Sequence, residues 1–394
     1  MNPGRVIVVG GGVIGLSIAW ELARRGASVR LIERDRVGQA TSWSAGGILP
    51  PARQAGATDP LDQLRGLSHD LYPSWTQALQ TATGIDPGFR RCGAWYLADT
   101  PGERAAMIGM TDYWHELGID CQSVSNTELT IREPALRSWA RERNELAAWW
   151  VPDECQIRSP DYLSALAAAC RSTGVEISEG LSVCDLHHRS SSVSLDARPT
   201  SAESNSNEQL QSFAADYAVV CAGAWSGQIA ESLRLEQALV PVRGQMLLLK
   251  SECPLFRPII NVGHRYLVPR DDGHLLVGSC EEEVGFVPGT TDQMIDSLRS
   301  FATALCPELK LAKEVRTWSG LRPMTFDGFP MIGRVPTTTN VFVAAGHFRS
   351  GIHLSPATAV VLADLICGDQ PAVSLDAFRI GKQQQSINAT AERT

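Results

Sequence analysis

Three glycines raise the first chemical possibility. Gly10, Gly12 and Gly15 form GxGxxG directly behind the apolar run Val6 to Val9. Each suits a pyrophosphate ligand: a tight turn, close approach of the backbone, and close packing of helix on strand. Val13 and Ile14 open the helix that follows, so its free N–H groups and positive end face the same point. A second apolar run, with Val29, Leu31 and Ile32, ends at Glu33, 18 residues after Gly15. A carboxylate there accepts hydrogen bonds from ribose hydroxyls and repels a 2′-phosphate. Strand, helix, second strand and acidic terminus agree, so this pattern predicts a dinucleotide site, with Arg34 at its edge. The competing reading is a glycine-rich turn of an unrelated α/β protein.

Two later segments return toward such a site. The apolar strand through Val219 and Val220 ends in small residues, Ala222 and Gly223, followed by Trp225. Gly346, His347, Phe348, Arg349, Ser350 and Gly351 lie between a buried strand at 341–345 and an apolar helix from Ile352 to Cys367. The N-terminus of that helix can stabilise negative charge on a reduced flavin ring. Taken alone, either segment reads equally as an ordinary strand-to-helix turn. Together they suit FAD, a long cofactor that several segments must enclose. Only one GxGxxG is present, so no built-in NAD(P)H site is expected. Electrons then leave to oxygen, or to a protein or quinone acceptor.

The elements that must position these residues are legible in outline. Ile14, Ile18 and Leu22 recur at a spacing of four and mark one buried helix face. Leu64, Leu67, Leu71 and Trp75 predict a helix over 61–82, and another is expected over 161–172. The Gly/Ser/Pro-rich stretch 41–52 reads as a loop, and 240–250, 264–280 and 313–318 as strands. The polar stretch 189–212 is expected to be a flexible insertion, and 386–394 a frayed tail. Dinucleotide-type segments stand at both ends, which predicts an α/β chain with an α+β second domain. A Rossmann-like FAD-binding domain (1–85, 150–230 and 315–385) is interleaved with a sheet-based substrate-binding domain (86–149 and 231–314).

Composition bounds the function. The 394 residues carry a formal net charge of −8 and no Lys/Arg run, which speaks against nucleic acid as a partner. Ten cysteines include no CxxC pair, and scattered thiols suit a reducing cytoplasm. No stretch has the roughly 18 apolar residues of a membrane span, so no integral membrane segment is expected. HExxH, GxSxG and Cys/His clusters are absent, leaving metal-dependent and serine hydrolysis without residues to carry them.

The chain resembles the D-amino-acid oxidase-like family of FAD-dependent oxidoreductases, and within it most closely the bacterial glycine oxidases of thiamine biosynthesis. The likeness covers nearly the whole chain. It is carried by Val8 to Gly15, by Ser44, Ala45, Gly46 and Gly47, by Tyr266 to Arg270, and by Val277 to Ser279. Its most specific parts are Gly320 to Pro323 with Asp327 to Gly333, and Ala344 to Ile352. The resemblance implies non-covalent FAD and hydride transfer from the substrate Cα to flavin N5. The product imine hydrolyses to a 2-oxo acid and ammonia, and dioxygen reoxidises the flavin to give hydrogen peroxide. It implies glycine, sarcosine or a D-amino acid as substrate, a role in thiamine thiazole formation, and a homo-oligomer.

By motif position, Arg322 corresponds to the carboxylate-binding arginine and Tyr266 to the tyrosine beside it. A guanidinium grips a carboxylate through two parallel hydrogen bonds, which fixes angle as well as distance. Arg349 and His264 fall at the edge of the same pocket, and Val183 where adenine meets the backbone. Glu281 departs from the family pattern: it either meets the substrate amine or belongs to a solvated acidic run. An amino-acid dehydrogenase with a non-oxygen acceptor is the near alternative, and a non-catalytic flavin-binding protein the remote one.

Overall fold

The computed structural model describes residues 4–381, apart from 144, 201–209, 230–232, 234, 236, 237 and 337. Apolar strands Arg5–Val9, Ser28–Ile32, Tyr217–Val220 and Val341–Ala345 lie side by side in a six-stranded sheet. Their mutual pairings are parallel, and Glu176–Ser178 extends the sheet in parallel at one edge. Met331–Arg334 adds an antiparallel edge strand at the other. Continuous Val/Ile/Ala runs fit strands covered on both faces. One face is covered by helices Val13–Arg24, Pro60–Thr83, Ser159–Ser172 and Gly351–Cys367. The three-stranded antiparallel sheet Leu181–His188, Val193–Pro199 and Gln211–Ala215 covers the other.

A second sheet of eight strands holds the rest of the frame. Its spatial order is Lys313–Thr325, Leu239–Lys250, His274–Gly278, Arg265–Pro269, Ile259–Val262, Ala94–Ala98, Ala147–Val151 and Gln122–Val124. All neighbours are antiparallel except Ile259–Val262 with Ala94–Ala98. Helix Asp292–Leu305 packs on one face through Ile295, Leu298 and Ala302.

Helix Pro60–Thr83 shows why the ends fall where they do. The Asp59 side chain accepts from the N–H groups of Leu61 and Asp62, Pro60 fills the first helical position, and Gly84 closes the helix in a left-handed conformation.

Two expectations need correction. The segment 313–325 is one strand of the larger sheet, paired along Leu239–Lys250, so an FAD-domain boundary at 315 cuts a strand that belongs with the other sheet. The stretch 189–212 is not wholly an irregular insertion. Val193–Pro199 is a strand whose Val193, Leu195 and Ala197 point into the core, with Gln211–Ala215 beside it. Its alternation is carried by one small and two medium apolar residues among serines, too faint a period-two signal to outweigh the polar composition. Residues 201–209 and the tail 386–394 lie outside the described residues.

Candidate active site

The two sheets enclose one large cavity of about 720 Å³. That lies within the roughly 300–1,000 Å³ usual for a small-molecule or cofactor site. The glycine motif forms one end of it. Gly10 has φ +104°, and a Cβ there would meet the Cys221 carbonyl oxygen at 2.6 Å. A Cβ on Gly15 would lie 1.9 Å from the Gly10 carbonyl oxygen, so only glycine lets the helix start this close to the turn. At the start of helix Val13–Arg24 the Gly12 cap offers no side chain, the first turn holds no acidic residue, and Ser42 Oγ accepts the Val13 N–H at 3.0 Å. The Ser350 cap of helix Gly351–Cys367 makes no side-chain hydrogen bond to it, its first turn holds no acidic residue, and its Gly351 and Ile352 line the same cavity. Two helix N-termini without acidic residues on one cavity suit an anionic cofactor. Glu33 lines the wall and accepts the Gly11 N–H at 2.7 Å, bracing the turn. Beyond it, Arg34 lies 4.7 Å over the Trp225 ring, opposite Leu181, Ser182 and Val183. A glycine turn, an acid, and the side chains of Trp225, Leu181 and Val183 share one cavity, so the residues fit FAD.

The loop of Ser44, Ala45, Gly46 and Gly47 is a tightly held turn. Ser44 Oγ donates to the Ser319 carbonyl at 2.9 Å, and Trp318 Nε1 to the Ser44 carbonyl at 3.1 Å. The buried Arg270 guanidinium donates to the Gly46 carbonyl at 3.0 Å and to the Ile157 carbonyl at 3.2 Å. Gly47 has φ +73°, and a Cβ there would fall 2.0 Å from the Ile157 carbonyl oxygen.

Strands of the larger sheet wall the other end. Arg322 lines the cavity and donates to the Cys280 carbonyl at 2.9 Å and to Ser279 Oγ at 2.8 Å, both neutral partners. Gly244, on the paired strand, makes room for it: a Cβ there would meet Arg322 Nη2 at 2.3 Å. Tyr266 is buried beside Gly46 and Gly278, where added Cβ atoms would meet its ring at 3.2 and 2.5 Å. Among the described residues its hydroxyl donates to the Met246 sulfur alone, at 3.5 Å, a weak acceptor. A guanidinium and a phenol thus stand on one wall without a strong acid between them.

Most expected residues meet at this cavity. Besides those above, Ala222, Gly223, His347, Phe348, Arg349 and Ser350 line it. Phe348 holds φ +46°, unusual for an aromatic residue and a kind of strain that clusters at functional sites. Burial pushes the His347 imidazole down to about 3, and its Nε2 lies 3.1 Å from Thr358 Oγ1.

Four expected residues do not line the wall. His264 is exposed, and only its neighbour Gly263 reaches the cavity. Glu281 pairs with Arg349 at 3.1 Å, both sides being nearly half exposed, and so braces the rim. Gly346 and Gly15 lie behind the wall: the first packs on Thr325 with φ +84°, the second under Gly10.

Sequence reasoning missed Tyr96, Glu154, Asn261, Met246 and His353, all on the cavity wall. Glu154 is completely buried, and desolvation lifts its carboxyl to about 8. Its Oε2 accepts from the Tyr96 hydroxyl at 2.8 Å, while Oε1 has no partner among the described residues. Asn261 Nδ2 is likewise buried without a partner. No local spacing marks these residues, because strand pairing and helix packing bring them together from distant parts of the chain.

Fold and site together define a flavin-dependent oxidoreductase whose cavity is walled by a second sheet. The chain belongs to the DAO family of FAD-dependent oxidoreductases, whose pattern matches residues 5–365. The cofactor of the family is FAD. Glycine oxidase of Geobacillus kaustophilus is 32% identical over 381 residues, covering 95% of this chain and 96% of its own. Glycine oxidase of Pseudomonas aeruginosa is 33% identical over 370 residues, covering 94% and 96%. The crystal structure of the Geobacillus kaustophilus glycine oxidase matches with a TM-score of 0.86 over 96% of this chain and 99% of that one. No helix among the described residues is long and apolar enough to cross a membrane.

Proposed function

We propose that this protein oxidises the C–N bond of a small amino acid, glycine or a close relative such as sarcosine or a D-amino acid, with dioxygen as the final acceptor. The observation that carries this reading is Arg322. It is oriented by two hydrogen bonds to neutral groups, given space by Gly244, and set with Tyr266 on the wall of a cofactor-sized cavity. A cation so placed needs an anionic partner, and a substrate carboxylate supplies one with matching bidentate geometry. Bound flavin supplies a two-electron acceptor for the hydride on the substrate Cα. The protein's part is to orient that carbon and keep water out. The oxidised substrate leaves as an imine, which takes up water to give the 2-oxo acid and ammonia. The two electrons reduce dioxygen, with two protons, to hydrogen peroxide. The likeness to glycine oxidases favours glycine over larger amino acids and supports a place in thiamine thiazole formation. All ten cysteines are unpaired, which suits the cytoplasm.

The test is anaerobic titration of the purified holoenzyme with glycine, sarcosine and D-alanine, following flavin absorbance. Bleaching, with peroxide on readmitting air, is the expected result. Bleaching without fast reoxidation overturns the oxygen assignment in favour of a dehydrogenase, and absence of bleaching by all three overturns the substrate class. Arg322→Ala should raise KM by about 100-fold or more, the scale of a lost charge-assisted pair, with flavin retained. An unchanged KM removes Arg322 from the site.

A further inference from the structure

Trp225 stands on the turn behind strand Tyr217–Val220 and lines the cavity. The Arg34 guanidinium lies 4.7 Å over its ring. Arg34 follows Glu33, the acid behind strand Ser28–Ile32 that in a site of this kind takes the ribose hydroxyls of the ADP half. Trp225 and Arg34 therefore belong to the ADP end of the cavity. The Trp225 ring also meets Phe286, with centroids 5.6 Å apart and planes tilted by 39°, within the range of a favourable aromatic pair. Phe286 comes from the other half of the molecule, from the loop between strand His274–Gly278 and helix Asp292–Leu305. That loop is clamped at both ends. Near its start, Arg243 and Glu282 exchange backbone hydrogen bonds at 2.8 and 3.0 Å, and the Arg243 guanidinium donates twice to the Glu282 carboxylate, at 3.1 and 3.2 Å. Near its end, the Gly289 N–H donates to Ser319 Oγ at 2.9 Å and the Thr291 N–H to Gln245 Oε1 at 2.8 Å. Gly285 and Gly289, with φ +62° and +101°, let the chain turn on either side of Phe286.

The clamped loop thus carries an aromatic ring, 40% exposed, onto a residue of the cavity wall without lining the cavity itself. An indole already held by a neighbour has less freedom to lose when a ligand settles against it, so such a brace shows as affinity. We propose that Phe286 braces the Trp225 ring and thereby tightens the hold on the ADP half of FAD, so that the larger-sheet half of the protein takes part in cofactor retention. Phe286 is a positioning residue, acting through Trp225. Because its role concerns the cofactor, it stands whichever amino acid is oxidised.

The experiment titrates the full-length protein, stripped of flavin, with FAD, FMN and ADP. Flavin fluorescence reads the first two, and competition with FAD reads the third. FMN lacks the adenylate, and ADP lacks the flavin. Phe286→Ala is expected to raise the Kd of FAD about three- to tenfold, the scale of an aromatic pair. The Kd of ADP should rise by the same factor and that of FMN should not change. Phe286→Tyr keeps the ring and should restore the wild-type values. Unchanged FAD and ADP binding overturns the role of Phe286, and so does an equal loss of all three ligands, which would mark general damage. A double-mutant cycle decides the matter even if FMN binds too weakly to titrate. In a Trp225→Ala background, Phe286→Ala should cost no further FAD affinity, because the brace has nothing left to hold; an additive loss there sinks the proposal. Should Phe286→Ala fail to fold, Phe286→Leu keeps apolar bulk, loses the ring and is read against the same outcomes.

Discussion

At the scale of single residues, the site is shaped as much by missing side chains as by present ones. Gly10 and Gly15 were legible because their spacing is local and each has a defined task against a pyrophosphate. Gly244 was not, although a Cβ there would meet the Arg322 guanidinium at 2.3 to 2.6 Å. Its partner is 78 residues away along the chain and reaches it only through the pairing of Gly244 with Gly320 and of Val242 with Arg322. The prediction is that Gly244→Ala displaces the guanidinium and raises KM about tenfold or more, the scale of a disturbed charged hydrogen bond. Flavin content should match the wild type, because the cofactor cradle is built elsewhere. Kinetics on flavin-quantified enzyme check this; loss of flavin together with KM would mean that the two ends of the cavity are not separable. Arg322 itself was found through resemblance, since an arginine on a strand has no local signature. Glu154 had neither kind of signal.

At the scale of elements, the helices show where sequence patterns suffice and where packing must finish the work. Helix Gly351–Cys367 was legible from its apolar run, yet it carries Pro356 near its start. Proline has no N–H, so the Ile352 carbonyl loses its helical donor. Tyr72, from helix Pro60–Thr83, donates its hydroxyl to that carbonyl, and Ser355 Oγ donates to it as well at 2.9 Å. One residue on, Ser68 Oγ donates to the His353 carbonyl and accepts from the Ala357 N–H at 3.3 Å, bridging the two. These contacts fix the first turn of the helix, and His353 on that turn lines the cavity. Neither Ser68 nor Tyr72 could be singled out beforehand, because the need they meet arises 280 or more residues away. Tyr72→Phe leaves Ser355 on the Ile352 carbonyl and should cost about 1 kcal/mol. Ser68→Ala strips the bridge from two buried groups and should cost about 1–3 kcal/mol. Thermal unfolding of the two holoenzymes should therefore rank Ser68→Ala below Tyr72→Phe; the reverse order would mean that the helix closes its own gap at Ala357.

At the scale of the whole molecule, burying titratable groups around one cavity ties stability to pH. His347 and His353 are held down to about 3, chiefly because burial disfavours the imidazolium, with His69 and Arg65 adding to the effect at His353. Glu154 is lifted to about 8 by the same desolvation. The histidines contribute stability that is present above their ordinary 6.5 and lost as pH falls toward 3. Glu154 has the opposite sign: its contribution is present below its ordinary 4.5 and lost as pH rises through about 8. Between 4.5 and 6.5 two histidines act against one carboxyl, so stability still climbs with pH. Above 6.5 the histidines are neutral in both states, and only the carboxyl's slope of about 1.4 kcal/mol per pH unit remains. These three groups thus place the stability maximum of the holoenzyme near pH 6.5, with a decline toward 8. Glu154→Gln should flatten the alkaline decline and steepen the climb between 4.5 and 6.5, where the carboxyl no longer opposes the histidines. His353→Gln should make the acid side shallower and leave the alkaline one alone. Melting temperatures across that pH range decide it: a Glu154→Gln protein that declines above pH 7 as steeply as the wild type would show that Glu154 is already ionised and paired inside the fold.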